Sequence, residues 1–310
     1  MTAARNVLVT GGAGRLARFT IDYLLERNYQ VSAFDVVSPD PEHFPKGVRF
    51  IKGNLTSLED NMRAIHISGA DAIVHLGAIT HDTTLQPGRV RIQRMPEDET
   101  MRVNAMGTYY LMDAARRFHV KTIVAASTYY VLGLGFRISG RPFQVDYLPI
   151  DEEHPLRPED SYSLSKLINE ETLKAFGLAY GIRTVAFRLN GVDYPFQREM
   201  YKYNITPEAR PDHVGGPIGT THQYIDPRDA AQAFTLALEA TNLDLFEAFY
   251  LHTDSRHWED TRTVVERHWP DLKEMAARLE GTEGLITCRK LREKLGYEPQ
   301  YSWRNPRDDF

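Results

Sequence analysis

Short apolar runs alternate along the chain with longer stretches of helical spacing. The first run, Val7-Leu8-Val9, leads straight into glycines. Behind them Leu16, Phe19, Ile21, Tyr23, Leu24 and Leu25 recur with the period of an amphipathic helix. Gln30–Asp35 alternates as a strand, and residues 36–45 form a proline-rich loop that continues neither a helix nor a central strand. A short strand follows in 48–55 and a helix over 58–67. The strand opening at Ala72 is apolar enough to be buried on both faces.

The same alternation predicts a long helix over 99–119, a strand over 121–127, a helix opening near Ser161 and running to about 180, and a strand over 183–189. Residues 80–98, with several arginines and Gln86-Pro87-Gly88, read as a surface loop near the site mouth, and 133–149 as a glycine- and proline-bearing linker. Periodicity breaks over 191–223, which reads as a substrate-side insertion. It resumes with helices over 229–241, 261–269 and 289–295, a strand over 246–251 and an extended tail. Strands alternating with helices imply an α/β fold with a doubly wound parallel sheet. Residues 1–190 would form its nucleotide-binding domain, and 191–310 a small C-terminal substrate lobe interleaved with the last elements of that domain.

Composition narrows the class. The chain has 310 residues, 42% hydrophobic and 25% charged, enough for a sizeable core and too apolar for global disorder. A net charge of −5 argues against a nucleic-acid scaffold and against attraction to anionic membranes. No apolar run has bilayer length, and the first strand begins too early to leave room for a signal peptide. Cys288 is the one cysteine, so no intrachain disulfide forms and a cytoplasmic setting is expected.

The candidate chemistry begins at the first turn. Gly12, Gly14 and Ala17 fit G-x-G-x-x-A between a strand and a helix. Such glycines allow a tight turn and close approach of a pyrophosphate, which the helix N-terminus then receives. Gly11, Gly14, Arg15 and Leu16 are therefore candidate cofactor contacts. Asp35, ending the second strand, suits the ribose hydroxyls of NAD and would repel the 2′-phosphate of NADP. Further along, Tyr162 and Lys166 are four apart and share one helix face. An ammonium beside a phenol favours the phenolate, giving a base near neutral pH. Ser127 or Thr128, ending the fifth strand, supplies a hydroxyl to hold a substrate oxygen. His75 reads as a strand residue, and no metal site is expected.

Taken in order, Thr10-Gly11-x-x-Gly14-x-x-Ala17, Asp35, Gly53-Asn54-Leu55, His75-Leu76-Gly77-Ala78, Asn104, Ser127-Thr128 and Tyr162-x-x-x-Lys166 resemble the extended short-chain dehydrogenases/reductases of the NAD-dependent epimerase/dehydratase superfamily. The resemblance covers most of residues 1–190. It implies NAD in an open Rossmann domain, with Asn54 and Leu55 at the adenine and Leu76, Gly77 and Ala78 along the ribose and nicotinamide. It makes Asn104 a bridge to the site and lets Lys166 bind the nicotinamide ribose. A homodimer through a helix bundle is a further implication.

Several departures matter. Asn54 stands where the family more often has Asp. Tyr129-Tyr130 replace the Asp-Glu pair of dehydratases. Gly215 to Asp229 show no clear nucleotide-diphosphate clamp. Residues 75–80 also resemble uronate dehydrogenases, giving Thr80 a substrate role, with Asn190 and Gln223 as further substrate contacts and His222 and Tyr224 as pocket-closing candidates. The reading that follows is an NAD-dependent oxidoreductase on a hydroxyl of a sugar, sugar acid or polyol. The alternatives are a nucleotide-sugar epimerase with tightly held NAD and a non-catalytic NAD-sensing protein.

Overall fold

A computed structural model describes residues 6–42, 44–79, 97–135, 137–195 and 223–304. The chain opens with β1 (Asn6–Thr10), α1 (Arg15–Glu26), β2 (Gln30–Asp35), β3 (Arg49–Lys52), α2 (Leu58–Ser68) and β4 (Ala72–His75). It continues through α3 (Glu97–Thr100), a π-helical segment (Met101–Met106), α4 (Gly107–Arg117), β5 (Thr122–Thr128), a 3₁₀ turn (Tyr129–Leu132), α5 (Ser161–Tyr180) and β6 (Arg183–Leu189). Beyond these lie β7 (Gly191–Val192), β8 (Gln223–Ile225), α6 (Pro227–Glu239), β9 (Phe246–Leu251), β10 (Asp254–Ser255), α7 (Thr261–His268) and α8 (Arg289–Leu295).

Seven strands form one sheet in the order β3-β2-β1-β4-β5-β6-β9, with every pair parallel. The order reverses between β1 and β4, and ligands of such sheets bind outside the carboxyl ends of the strands at that point. Val9, Val74, Val124 and Val185 stand in register across β1, β4, β5 and β6 and pack on one face against α1 and α6. Leu8, Ile73 and Ile123 pack the opposite face against α2, α4 and α5. This two-sided burial explains why the central strands read as unbroken apolar runs.

Local signals set the site helix. Asp160 caps α5 by accepting from the Ser163 amide, and Gly181 ends it at φ 69°. The stretch expected as one helix over 99–119 is instead broken by the π segment, whose wider turn carries Asn104 inward. The glycine-bearing linker is not a solvent loop. Leu134, Phe143, Val145, Leu148 and Ile150 bury against Val264, Val265, Leu285 and Ile286, making a third core. The short sheet β10-β8-β7 flanks it and was not legible as strands.

Three buried histidines give a pH prediction. Burial pushes His75 and His252 down to about 3 and His257 to about 4, against 6.5 in the unfolded chain. The unfolded state therefore takes up more protons below pH 6.5, and stability falls as pH drops toward the folded values. Each histidine contributes up to about 1.4 kcal/mol per pH unit. Asp229, pushed up to about 6 by burial, and Glu152, also raised by burial, work the other way, while His154, lowered by burial, adds to the histidine side. The urea midpoint should fall from pH 7 to pH 5. An unchanged midpoint would show that these imidazoles are solvated.

Candidate active site

The glycine turn is fixed by backbone crowding. Gly11 has φ 66°, and a Cβ there would lie 2.7 Å from the Gly77 nitrogen. A Cβ on Gly12 would meet Ala33 at 2.6 Å. The turn thus lies against both β2 and the end of β4, with Gly14 N donating to Gly11 O at 2.9 Å. Gly11→Ala must therefore strain a left-handed backbone and push Gly77 away. The expected result is a loss of at least about 1 kcal/mol of stability together with weakened NADH binding. Fluorescence titration and thermal melting check it, and unchanged values for both would show that the turn yields.

Asp35 lies just behind this turn. Its Oδ2 accepts from Ala13 N and its Oδ1 from Val37 N, both at 3.0 Å, so the carboxylate orders the turn and the loop after β2. Asn54 folds its Oδ1 onto Thr56, whose amide and hydroxyl donate at 3.0 and 2.9 Å. Leu55 is wedged against Gly77 and Gly107. His75 bridges Thr10 at 2.6 Å and Thr108 at 2.9 Å, a buried neutral link among β1, β4 and α4. Among the described residues no group of three His, Cys, Asp or Glu is placed to hold a metal. Asn104 exchanges two hydrogen bonds with the Ile79 backbone and donates to Ser165 Oγ at 3.0 Å, bridging the segment after β4 to α5.

A cleft of about 500 Å³ runs from the glycine turn to the ends of β5 and β6. Gly11, Gly14, Arg15, Leu16, Leu76 and Ala78 line one end. Thr128, Tyr162, Lys166 and Asn190 line the other. Asp35, Asn54, Leu55, Gly77 and Asn104 surround the cleft without lining it. Tyr129, Tyr130 and Tyr194 are wall residues that sequence reasoning missed. The first two directly follow Thr128 at a strand's carboxyl end, a position that carried the signal. Tyr194 stacks with the Arg15 guanidinium, 5.0 Å from its ring centre, across the cleft mouth.

The two candidate hydroxyls separate. Ser127 and Thr128 point to opposite faces of β5. Ser127 Oγ donates to Glu170 at 2.6 Å in the interior. Thr128 accepts from Tyr130 N and lines the cleft beside Tyr162. The expected tuning of Tyr162 by Lys166 is corrected. Desolvation pushes the half-buried phenol above its ordinary range, and the contact that opposes it is Thr128. Lys166 Nζ donates to the Ala126 carbonyl at 2.8 Å, and burial pushes its ammonium down to about 8.

Two further substrate assignments differ from expectation. Gln223 does not face the cleft. Its Nε2 donates to Glu283 O and Ile286 O, and its Oε1 accepts from Ile286 N, so the whole amide clamps the segment 283–286. Tyr224 is buried, with its hydroxyl accepting from Trp303 N. Thr80 and His222 lie outside the described residues.

The chain is similar to several known proteins. Over 189 residues the chain is 27% identical to a putative UDP-glucose 4-epimerase of Methanocaldococcus jannaschii, covering 60% of this chain and 55% of the relative. It thus spans about half the length of that relative. Over 196 residues it is 28% identical to a uronate dehydrogenase of Pseudomonas syringae pv. tomato, covering 63% and 62% of the two chains. The fold matches a UDP-glucose 4-epimerase from Brucella ovis solved in complex with NAD, with a TM-score of 0.67, 22% identity and coverage of 96% and 94%. The glycine cradle, filled by any added Cβ, and the cleft leading from it to Tyr162 fit that cofactor. The description "NAD dependent epimerase/dehydratase family" matches residues 7–248, and the chain belongs to that family.

Proposed function

We propose that the protein is a net oxidoreductase that moves hydride between NAD and a hydroxyl-bearing carbon of a free sugar, sugar acid or related polyol. The observation that carries the reading is the grouping of Thr128, Tyr162 and Lys166 on the wall of one cleft, with Tyr162 and Lys166 on one helix face and the glycine turn at the other end. Bound NAD supplies the hydride acceptor. Thr128 and Tyr162 hold the substrate oxygen between them. Tyr162 gives the proton when a carbonyl is reduced and takes it when an alcohol is oxidised. Asn190 faces the same end and offers an amide to a second hydroxyl.

A free substrate is favoured over a nucleotide sugar by the described wall. At the substrate end it carries Tyr129, Tyr130, Leu189, Asn190 and Val192, and its cations are Lys166, already placed beside Tyr162, and Arg15, which packs on Tyr194. The segment compared with a diphosphate clamp falls largely outside the described residues. An epimerase must keep its cofactor through each cycle, whereas a dehydrogenase must exchange it. Protein purified without added cofactor and then denatured should release well under one equivalent of NAD(H). Stoichiometric NAD(H) would favour the epimerase reading.

The same reading includes a homodimer, supported by Tyr109, Leu164, Leu178 and Tyr180, which stay exposed on α4 and α5. Light scattering that reports a monomer would contradict it. No helix among the described residues is long and apolar enough to cross a membrane, and the reading places the enzyme in the cytoplasm.

A further inference from the structure

One helical turn beyond Lys166, on the same face of α5, stands Glu170, which does not line the cleft. Its Oε1 accepts the Ser127 hydroxyl at 2.6 Å. Arg188 spans both carboxylate oxygens, with Nη2 at 2.9 Å from Oε2 and Nε at 3.2 Å from Oε1. Arg188 also donates to the Glu152 carbonyl at 3.2 Å and to the Tyr250 hydroxyl at 3.4 Å. Ser127 and Arg188 are register neighbours on β5 and β6, so one carboxylate ties two strands to the helix. All three residues are buried.

Each arm of this network ends beside a cleft group. Ser127 precedes Thr128, Arg188 lies two residues before Asn190, and Glu170 lies one turn from Lys166. A buried ion pair is often no more stabilising than apolar residues of the same volume, so stability alone does not account for it. Lys166 is itself a buried cation whose Nζ donates to a neutral carbonyl. The titratable groups around it are His75 of β4, held neutral, Tyr162 and Glu170 of α5, and Arg188 of β6 on the far side of Glu170. Glu170 is the carboxylate that acts on the ammonium, opposing the effect of burial.

We propose that Glu170 is a positioning residue for the active site: its carboxylate, anchored by Ser127 and Arg188, is the counter-charge one helical turn from Lys166 and fixes the Lys166-bearing turn of α5 against the Thr128 end of β5. This rests on the reading of Tyr162 and Lys166 as site groups, but the test needs no substrate. Protein carrying ¹³C at the lysine ε-carbons is titrated by NMR without cofactor, and the Lys166 signal is assigned by its loss in Lys166→Arg.

In the native chain Lys166 should titrate near 8, below an ordinary lysine. In Glu170→Gln its midpoint should fall by about one pH unit or more, because the opposite charge is gone and Arg188 is left unpaired. In Ser127→Ala, which keeps the carboxylate, the midpoint should not fall. If Glu170→Gln does not fold, Glu170→Met with Arg188→Met removes both charges while keeping the volume, and a lowered midpoint is again expected. An unchanged Lys166 midpoint in the charge-removing variant would overturn the proposal. So would an equal fall in Ser127→Ala, which would trace the effect to lost packing. Absence of turnover on every free sugar would instead defeat the oxidoreductase reading and leave the titration standing.

Discussion

Tyr162→Phe is expected to lower turnover by about 10²–10⁴-fold, the span usually contributed by a positioned acid–base group, while leaving the fold and NADH binding intact. The substitution removes one oxygen, on a residue that lines the cleft beside Thr128. The phenol's upward shift adds a signature. A phenol pushed above its ordinary range by desolvation is protonated at neutral pH. It is thus ready to donate during carbonyl reduction and becomes a better base for alcohol oxidation as pH rises. The oxidation rate of the native enzyme should climb with pH above neutrality, and the residual rate of Tyr162→Phe should lose most of that climb. Turnover equal to native in Tyr162→Phe would remove the phenol from the mechanism.

Arg188→Ala is the largest expected loss of stability, about 3–5 kcal/mol. Arg188 and Glu170 are buried at 6% and 3% side-chain exposure with oxygen and nitrogen 2.9 Å apart. Truncating the arginine strands a carboxylate in the interior and strips donors from the Glu152 carbonyl and the Tyr250 hydroxyl. The solvent-exposed Arg262–Glu266 pair on α7 is the control, and Arg262→Ala should leave stability nearly unchanged. Urea unfolding of the two variants reads the contrast. A loss under about 1 kcal/mol for Arg188→Ala would mean that water or another cation reaches Glu170.

What the sequence disclosed was what local backbone and period dictate. The glycine turn was legible because Gly11 and Gly12 have no room for a Cβ, and the sheet because its central strands are apolar on both faces. The i to i+4 spacing put Tyr162 and Lys166 on one face. It could not say that the ammonium would reach Ala126 O, which depends on where β5 lies against α5. The spacing to Gly133 favoured Thr128 but left Ser127 open, because the choice turns on which face of β5 meets α5 and Glu170.

Gln223 misled for a related reason. Its amide is consumed by residues about sixty positions away, a pairing that no local pattern encodes. The Gly284 backbone there, at φ 100°, packs so closely on Gln223 that a Cβ would lie 2.5 Å from its side chain. The stretch 133–149 read only as a linker, on its glycines and prolines. Yet its apolar residues, spaced without period, bury against the 264–286 segment that lies more than a hundred residues on.

The most direct test of the account is NADH formation, followed by absorbance, across free uronic acids, aldoses, aldonates and polyols, with UDP-sugars alongside. The account predicts stoichiometric NADH with at least one free sugar, sugar acid or polyol, abolished in Tyr162→Phe. Interconversion of a UDP-sugar with no net NADH, and no reaction with any free substrate, would contradict it.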